Sequence, residues 1–303
     1  FLNRSNDPIP DLVMLGDYWL STAIRQQLIQ PLDSSQWQDW AKLPEKWKAI
    51  VNRTDQGFLQ DRQSAPKIWG APYRWGGTII AYRQDIFRDR NLQPPKDWSD
   101  LWREDLRGRI SLLDQPRETI GLTLKKLGQS YNVADLTKVP NLESELQALN
   151  RQAKFYSSTN YLQPLILDDT WVAVGWSSDI LSVMRRNPAI AAVFPSSGTA
   201  IWTDLWVRPS MGTKNDATNT LLAQWINFCW QPAIAPQLSL ISQAASPILS
   251  QLDAAKLPKA LQDNEILTPP AVAFDKSEFL EPLQDPTVAQ YRQLWEKVRQ
   301  AVS

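Results

Sequence analysis

Three times along this chain an apolar run ends in a tight polar turn and passes directly into a helical pattern. Pro10 to Leu15 (PDLVML) reads as a buried strand closed by Gly16-Asp17, after which Leu20, Ile24 and Leu28 recur at helical spacing, with Asp17 placed to cap the helix. Arg109 to Leu113 reads as a second strand, turned by Asp114-Gln115-Pro116 into a helix over Thr119 to Gln129. Thr170 to Trp176 (TWVAVGW) is a third, followed by a helix over Asp179 to Arg186. Alternation of this kind specifies an α/β fold, and in open α/β sheets ligands bind at the carboxyl ends of the strands.

Two further stretches break the alternation. In Lys67 to Asp85 (KIWGAPYRWGGTIIAYRQD) a strand approaches, Gly76-Gly77 is expected to interrupt it, and Thr78 to Tyr82 resumes as strongly β. In Gly198 to Pro209 (GTAIWTDLWVRP) a β-branched, apolar run contains one carboxylate between two indoles. At period 2, Trp202, Asp204 and Trp206 share one face, with Ile201, Thr203, Leu205 and Val207 on the other. An acid on such a face is either solvated on an edge strand or part of a site. Indole faces with an anion suit an organic ammonium group, through cation–π attraction and a charge-assisted hydrogen bond. These two stretches read as strands running between two α/β lobes.

Composition removes several functions. Formal charge is zero, from 32 basic and 32 acidic residues with no basic stripe, which argues against nucleic acid and anionic membrane surfaces. The chain has no histidine, the commonest general base and metal ligand. No metal or cofactor site is expected. The single cysteine, Cys229, sits in the apolar run WINFCW and reads as core. No apolar run reaches the length of a membrane span. Fifteen tryptophans are many for 303 residues and common where cationic or planar ligands are gripped. Toward the end, a helix is expected near Ser250 to Ala260, and a final one places Val288, Tyr291, Leu294, Trp295 and Val298 on one face.

Taken in order, PDLVMLGDYWLSTAIRQQLIQPLD, WGAPYRWGGTIIAYRQD, DWSDLWREDLRGRISLLDQPRETIGLTLKKLG, WVAVGWSSD and GTAIWTDLWVRP resemble the spermidine/putrescine-binding proteins of bacterial ABC importers. The resemblance runs from about Pro10 to about Ala245. It implies a two-lobed periplasmic binding protein with hinge crossover strands, the first lobe holding 1–78 and 204–248 and the second 79–203 and 249–303. It also implies a receptor rather than an enzyme, no cofactor, a polyamine-type cation as ligand, ABC permease subunits as partners and a periplasmic location, the signal peptide having been removed.

Family ligand contacts fall on Tyr18, with Asp17 beside it and Gly16 where the family often has a small hydroxyl residue. They fall also on Glu118, Trp176, Trp202 and Asp204, and on Glu281 before the last helix. Gln115 stands where the family commonly has an acid, so one ammonium contact is expected to be weaker. Glu118 and Asp204 are expected to clamp the two cationic ends of one ligand. The family's first strand and helix find no counterpart in Phe1 to Ile9, so the strand PDLVML is expected to lack one neighbour.

Other readings compete. Glu118 and Asp204 have the makings of an acid–base pair for a tryptophan-lined glycosidase or carbohydrate binder. Acids at helix starts, such as Glu118, are favoured by the helix dipole without any ligand. A ferric-ion receptor would need clustered tyrosines, and the seven here are scattered.

Overall fold

The computed structural model describes residues 9–59, 67–212 and 215–300. The strands in chain order are β1 (Val13–Gly16), β2 (Ile29–Gln30), β3 (Ala71–Arg83), β4 (Ile110–Leu112), β5 (Ala153–Tyr156), β6 (Val172–Trp176), β7 (Ile190–Val193), β8 (Ala200–Pro209) and β9 (Glu278–Phe279). The chain divides into two compact units, 1–75 with 202–268 and 76–201 with 269–303. It therefore passes between units within β3, within β8 and again after Thr268.

In the first unit β1 runs antiparallel to β8, pairing Val13 with Val207, Met14 with Trp206, Leu15 with Leu205 and Gly16 with Asp204. β2 pairs with the end of β8. Along β8, Thr203, Leu205 and Val207 are buried while Trp202, Asp204 and Trp206 are half-buried, so the period-2 reading of this strand holds. Gly70 lets the backbone lie close against the inward face, since a Cβ there would come within 3.2 Å of Leu205. Elsewhere in this unit Leu20, Ile24, Trp47, Val51 and Trp230 are nearly inaccessible to solvent. A helix over Asp216–Cys229 starts where Asn215 accepts a hydrogen bond from the Thr218 amide, and Cys229 is a buried core residue.

In the second unit β3 pairs antiparallel with β6 and β7, from Thr78 with Trp176 to Tyr82 with Val172 on one side. β6 and β4 are parallel, as are β4 and β5, each reached through a helical crossover. Such a sheet is covered on its faces, and β4 and nearly all of β6 are accordingly buried. The last helix, Asp285–Gln300, packs Tyr291, Leu294, Trp295 and Val298 with the helices Pro116–Lys126 and Leu142–Gln152. Val288, expected on that face, is exposed.

Several expectations are corrected. β3 runs unbroken through Gly76-Gly77. A Cβ on Gly77 would come within 2.9 Å of Thr199 Cγ2 and 3.2 Å of Phe194, so this glycine serves close packing rather than a turn. In place of a helix near Ser250 to Ala260 there are two 3-10 turns, Leu249–Gln251 and Ala254–Lys256, and a single turn of helix at Lys259–Gln262, because Pro258 restarts the chain. Among the described residues β1 pairs with β8 alone, while residues 1–8, on which the expectation of a lost first strand bears, lie outside them.

Candidate functional site

Each unit assembles part of the predicted set. In the first, the turn after β1 becomes a 3-10 turn, Asp17–Trp19, leading into the helix Leu20–Arg25. Asp17 does not cap that helix. Its side chain turns inward, where Oδ1 accepts a hydrogen bond from the Thr203 amide at 3.0 Å. Burial pushes its carboxyl up to about 7, with the charge of Asp204 adding to the rise, against backbone hydrogen bonds and Arg53. Tyr18 and Trp19 stay half in solvent, their rings edge to face at 5.2 Å.

The register places Gly16 opposite Asp204, and a Cβ on Gly16 would stand 3.8 Å from Asp204 Oδ1. A small side chain would fit there, and its absence leaves the carboxylate open on that side. Asp204 is nevertheless engaged. Arg74 Nε donates to its Oδ2 at 2.7 Å, with both side chains only partly exposed. Thr203 fixes this arrangement, because its hydroxyl donates to the Arg74 carbonyl at 2.8 Å. Next to the pair, Tyr73 stacks on Trp206 at 4.5 Å and donates its hydroxyl to Met14 Sδ. Burial pushes the Tyr73 phenol up to about 12. Trp202 shares the half-exposed face with Asp204.

In the second unit Glu118 occupies the first turn of the helix Pro116–Lys126, with Pro116 at its first position. Its carboxylate is almost completely buried. Oε2 accepts from the Thr78 hydroxyl at 2.9 Å, and the Trp176 side chain is a second donor. Burial pushes Glu118 up to about 7, outweighing these hydrogen bonds and the more distant Arg117. Among the described residues it forms no ion pair. Arg117 is occupied elsewhere, donating to the Tyr131 and Glu281 carbonyls, to Tyr291 Oη and to Asn132 Oδ1.

Trp176, at the end of β6, is held by Tyr161. The rings meet edge to face at 5.9 Å, the Trp176 amide donates to Tyr161 Oη at 3.2 Å, and that hydroxyl donates to Asp179 at 2.8 Å. Gly175 makes room for Tyr161, since a Cβ there would fall 1.8 Å from its ring. Gln115 is half-buried at the helix start, and its carbonyl accepts the amides of Glu118 and Thr119. Glu281 is engaged through its backbone by Arg117 and Asn132, and its side chain is exposed.

Thus Gly16, Asp17, Trp202 and Asp204 gather in one unit with Tyr18 at their margin, and Glu118 and Trp176 in the other. Arg74, Thr78 and Tyr161 were not singled out from sequence. Arg74 carried a signal, being the one charge in the apolar approach to Gly76-Gly77.

Over residues 7–276 the sequence matches the profile of a family described as bacterial extracellular solute-binding protein. The chain belongs to that family. Members of the bacterial extracellular solute-binding protein family are receptors and not enzymes, so the glycosidase reading of Glu118 and Asp204 gains no support. The chain is similar to spermidine/putrescine-binding periplasmic protein 1 of Haemophilus influenzae, at 24% identity over 96% of this chain and 75% of that protein. It is also similar to the spermidine/putrescine-binding periplasmic protein of Escherichia coli K12, at 24% identity over 78% of this chain and 63% of that protein. It thus spans less than two thirds of the E. coli relative. Its fold is that of the crystal structure of the spermidine/putrescine ABC transporter substrate-binding protein PotD from Streptococcus pneumoniae, with a TM-score of 0.82 and 20% identity over 99% of this chain and 86% of that one. Among the described residues, no helix of this solute-binding protein is long and apolar enough to cross a membrane.

Proposed function

We propose that the protein is the extracytoplasmic receptor of an ABC importer and binds a polyamine-type organic cation. The observation that carries this reading is Glu118. A buried carboxylate held by a hydroxyl and an indole, with no cation paired to it among the described residues, is costly to ionise. An arriving ammonium group supplies the missing charge, and in surroundings of low dielectric the contact is strengthened. The Trp176 ring beside it offers a cation–π surface. In this reading the Trp176 ring lies along the carbon chain next to the ammonium group that Glu118 holds, with Gln115 giving a weaker polar contact.

The names of the relatives support the ligand class, and the order of motifs along the chain supports the role. Capture would take place in the periplasm, with delivery to the importer's permease subunits.

Thermal denaturation in the presence of putrescine, cadaverine, spermidine, spermine and single amino acids tests the reading, because a ligand that binds the folded state raises the midpoint. A concentration-dependent rise with at least one primary amine, and none with oligosaccharides, is expected. A flat response to every amine would contradict the proposal.

A further inference from the structure

Thr78 and Trp176 stand opposite one another where β3 pairs with β6, and both donate to the Glu118 carboxylate. The two donors differ in how they are held. Thr78 has a short side chain and is fully buried. Trp176 is the last residue of β6 and only half-buried, so its ring needs a further contact to fix it.

Tyr161 supplies that contact. It is 2% exposed, its ring lies against Gly175, and its carbonyl accepts the Ser111 hydroxyl of β4 at 2.7 Å, so it is anchored at both ends. A phenol has one proton to donate. Here the proton goes to Asp179 at 2.8 Å, which leaves the oxygen to accept the Trp176 amide at 3.2 Å. Burial, with the charges of Asp179 and Glu118 adding to it, pushes the phenol well above its ordinary range, so the hydroxyl keeps its proton and this arrangement with it. The hydroxyl holds the Trp176 backbone, and the ring meets the indole edge to face at 5.9 Å. All of these residues belong to the second unit.

We infer that Tyr161, aimed by Asp179, is a positioning residue of the amine site: it keeps the Trp176 indole N–H on Glu118 and so sets how readily that carboxylate takes an ammonium group. This rests on the amine-receptor reading and deepens it. Tyr161 acts through Trp176 and not by touching the ligand. Besides its two donors, Glu118 feels the charge of Arg117 on its own helix and the phenols of Tyr131 and Tyr161. Replacing Tyr161 by Phe removes no charge, so its effect on Glu118 runs through hydrogen bonds.

The test follows the Trp176 indole N–H resonance of the ligand-free protein from pH 5 to pH 9, assigned by its loss in Trp176→Phe. In the wild type it should move as Glu118 ionises, with a midpoint of about 7, and in Glu118→Gln it should stay still. Tyr161→Phe should cut the movement to about half or less and raise its midpoint by about half a pH unit, because a carboxylate that loses a donor is harder to ionise. The resonance of Trp98, which donates to the Gly198 carbonyl, should not change. Calorimetry at pH 6 should show Tyr161→Phe binding 1,4-diaminobutane about threefold more weakly or worse, the linked consequence of that midpoint. A wild-type resonance that ignores pH overturns the inference, and so does a folded Tyr161→Phe protein whose resonance behaves as in the wild type. A changed resonance with unchanged affinity also overturns it. If the wild type binds no amine, the receptor reading falls, and the resonance still decides whether Tyr161 holds the indole on Glu118. Should Tyr161→Phe not fold, Asp179→Asn, which weakens the acceptor that aims the phenol, decides by the same loss of movement.

Discussion

Arg74 Nε and Asp204 Oδ2 stand 2.7 Å apart, so the carboxylate that the sequence offers to a ligand already has a cation of its own. The two residues are separated by 130 positions and are brought together by the backbone that Thr203 ties to Arg74. This pair alters the expectation for Asp204→Asn. As a site acid alone, Asp204 would contribute little to the stability of the free protein. As half of a partly buried ion pair, its loss leaves Arg74 without a counter-charge. Urea denaturation should show Asp204→Asn destabilised by about 1–2 kcal/mol, between the values for exposed and fully buried pairs. A double-mutant cycle with Arg74→Met should give coupling of about 1 kcal/mol, and purely additive effects would argue that the pair is idle.

The two buried carboxyls predict how stability responds to pH. Burial raises Asp17 and Glu118 to about 7 from ordinary values near 4. Between the unfolded and folded pKa values the native state binds more protons than the unfolded one, so stability falls as pH rises through that window. The ligand-free protein should therefore be more stable at pH 5 than at pH 8, with each group costing on the order of a few kcal/mol. Glu118→Gln should flatten part of that slope in denaturation curves. A protein equally stable at the two pH values would show that neither acid is held in its neutral form.

Gly175 is needed as a glycine because Tyr161 lies against it. Gly175→Ala should displace Tyr161, disturb the Trp176 backbone that its hydroxyl holds, and destabilise the fold by roughly 1–3 kcal/mol as overpacked cores do. Near-ultraviolet circular dichroism and denaturation together would register both effects. An unchanged spectrum and midpoint would mean that Tyr161 has another place to go.

Much of this arrangement was legible in the chain because alternation and punctuation are local. The face shared by Trp202, Asp204 and Trp206 followed from period 2, and the strand–turn–helix junctions placed Asp17, Glu118 and Trp176 at strand ends. What registers between distant segments decide was not legible. Nothing within PYRWGG reveals that Arg74 faces Asp204, or that Thr78 reaches Glu118. Asp17 illustrates the same limit. A helix cap was the local choice, but the Thr203 amide of β8 offered its side chain a buried partner instead. Gly76-Gly77 reads as a break in sequence because glycine marks both a broken strand and close packing, and the neighbours Thr199 and Phe194 distinguish them.

Gln115→Glu should restore a carboxylate at the start of the helix that carries Glu118. There it is favoured by the helix dipole, so the fold should tolerate it. If its side chain reaches the ligand, affinity for an α,ω-diamine or spermidine should rise about tenfold, one charge-assisted hydrogen bond's worth. Equal affinities for the folded variant and the parent would place residue 115 outside the contact set.

The most direct measurement of the central claim, that Glu118 holds an ammonium group, is calorimetric titration of the wild type and Glu118→Gln at pH 6 and pH 8. 1,4-Diaminobutane would serve as ligand, in buffers of differing ionisation enthalpy. Because the free carboxyl titrates near 7, binding at pH 6 should release close to one proton and affinity should rise toward pH 8. Glu118→Gln should lose the proton release and bind roughly ten- to a hundredfold more weakly, as removal of a charge-assisted hydrogen bond predicts. A folded Glu118→Gln protein that binds the amine as tightly as the wild type, with the same proton count, would contradict the account.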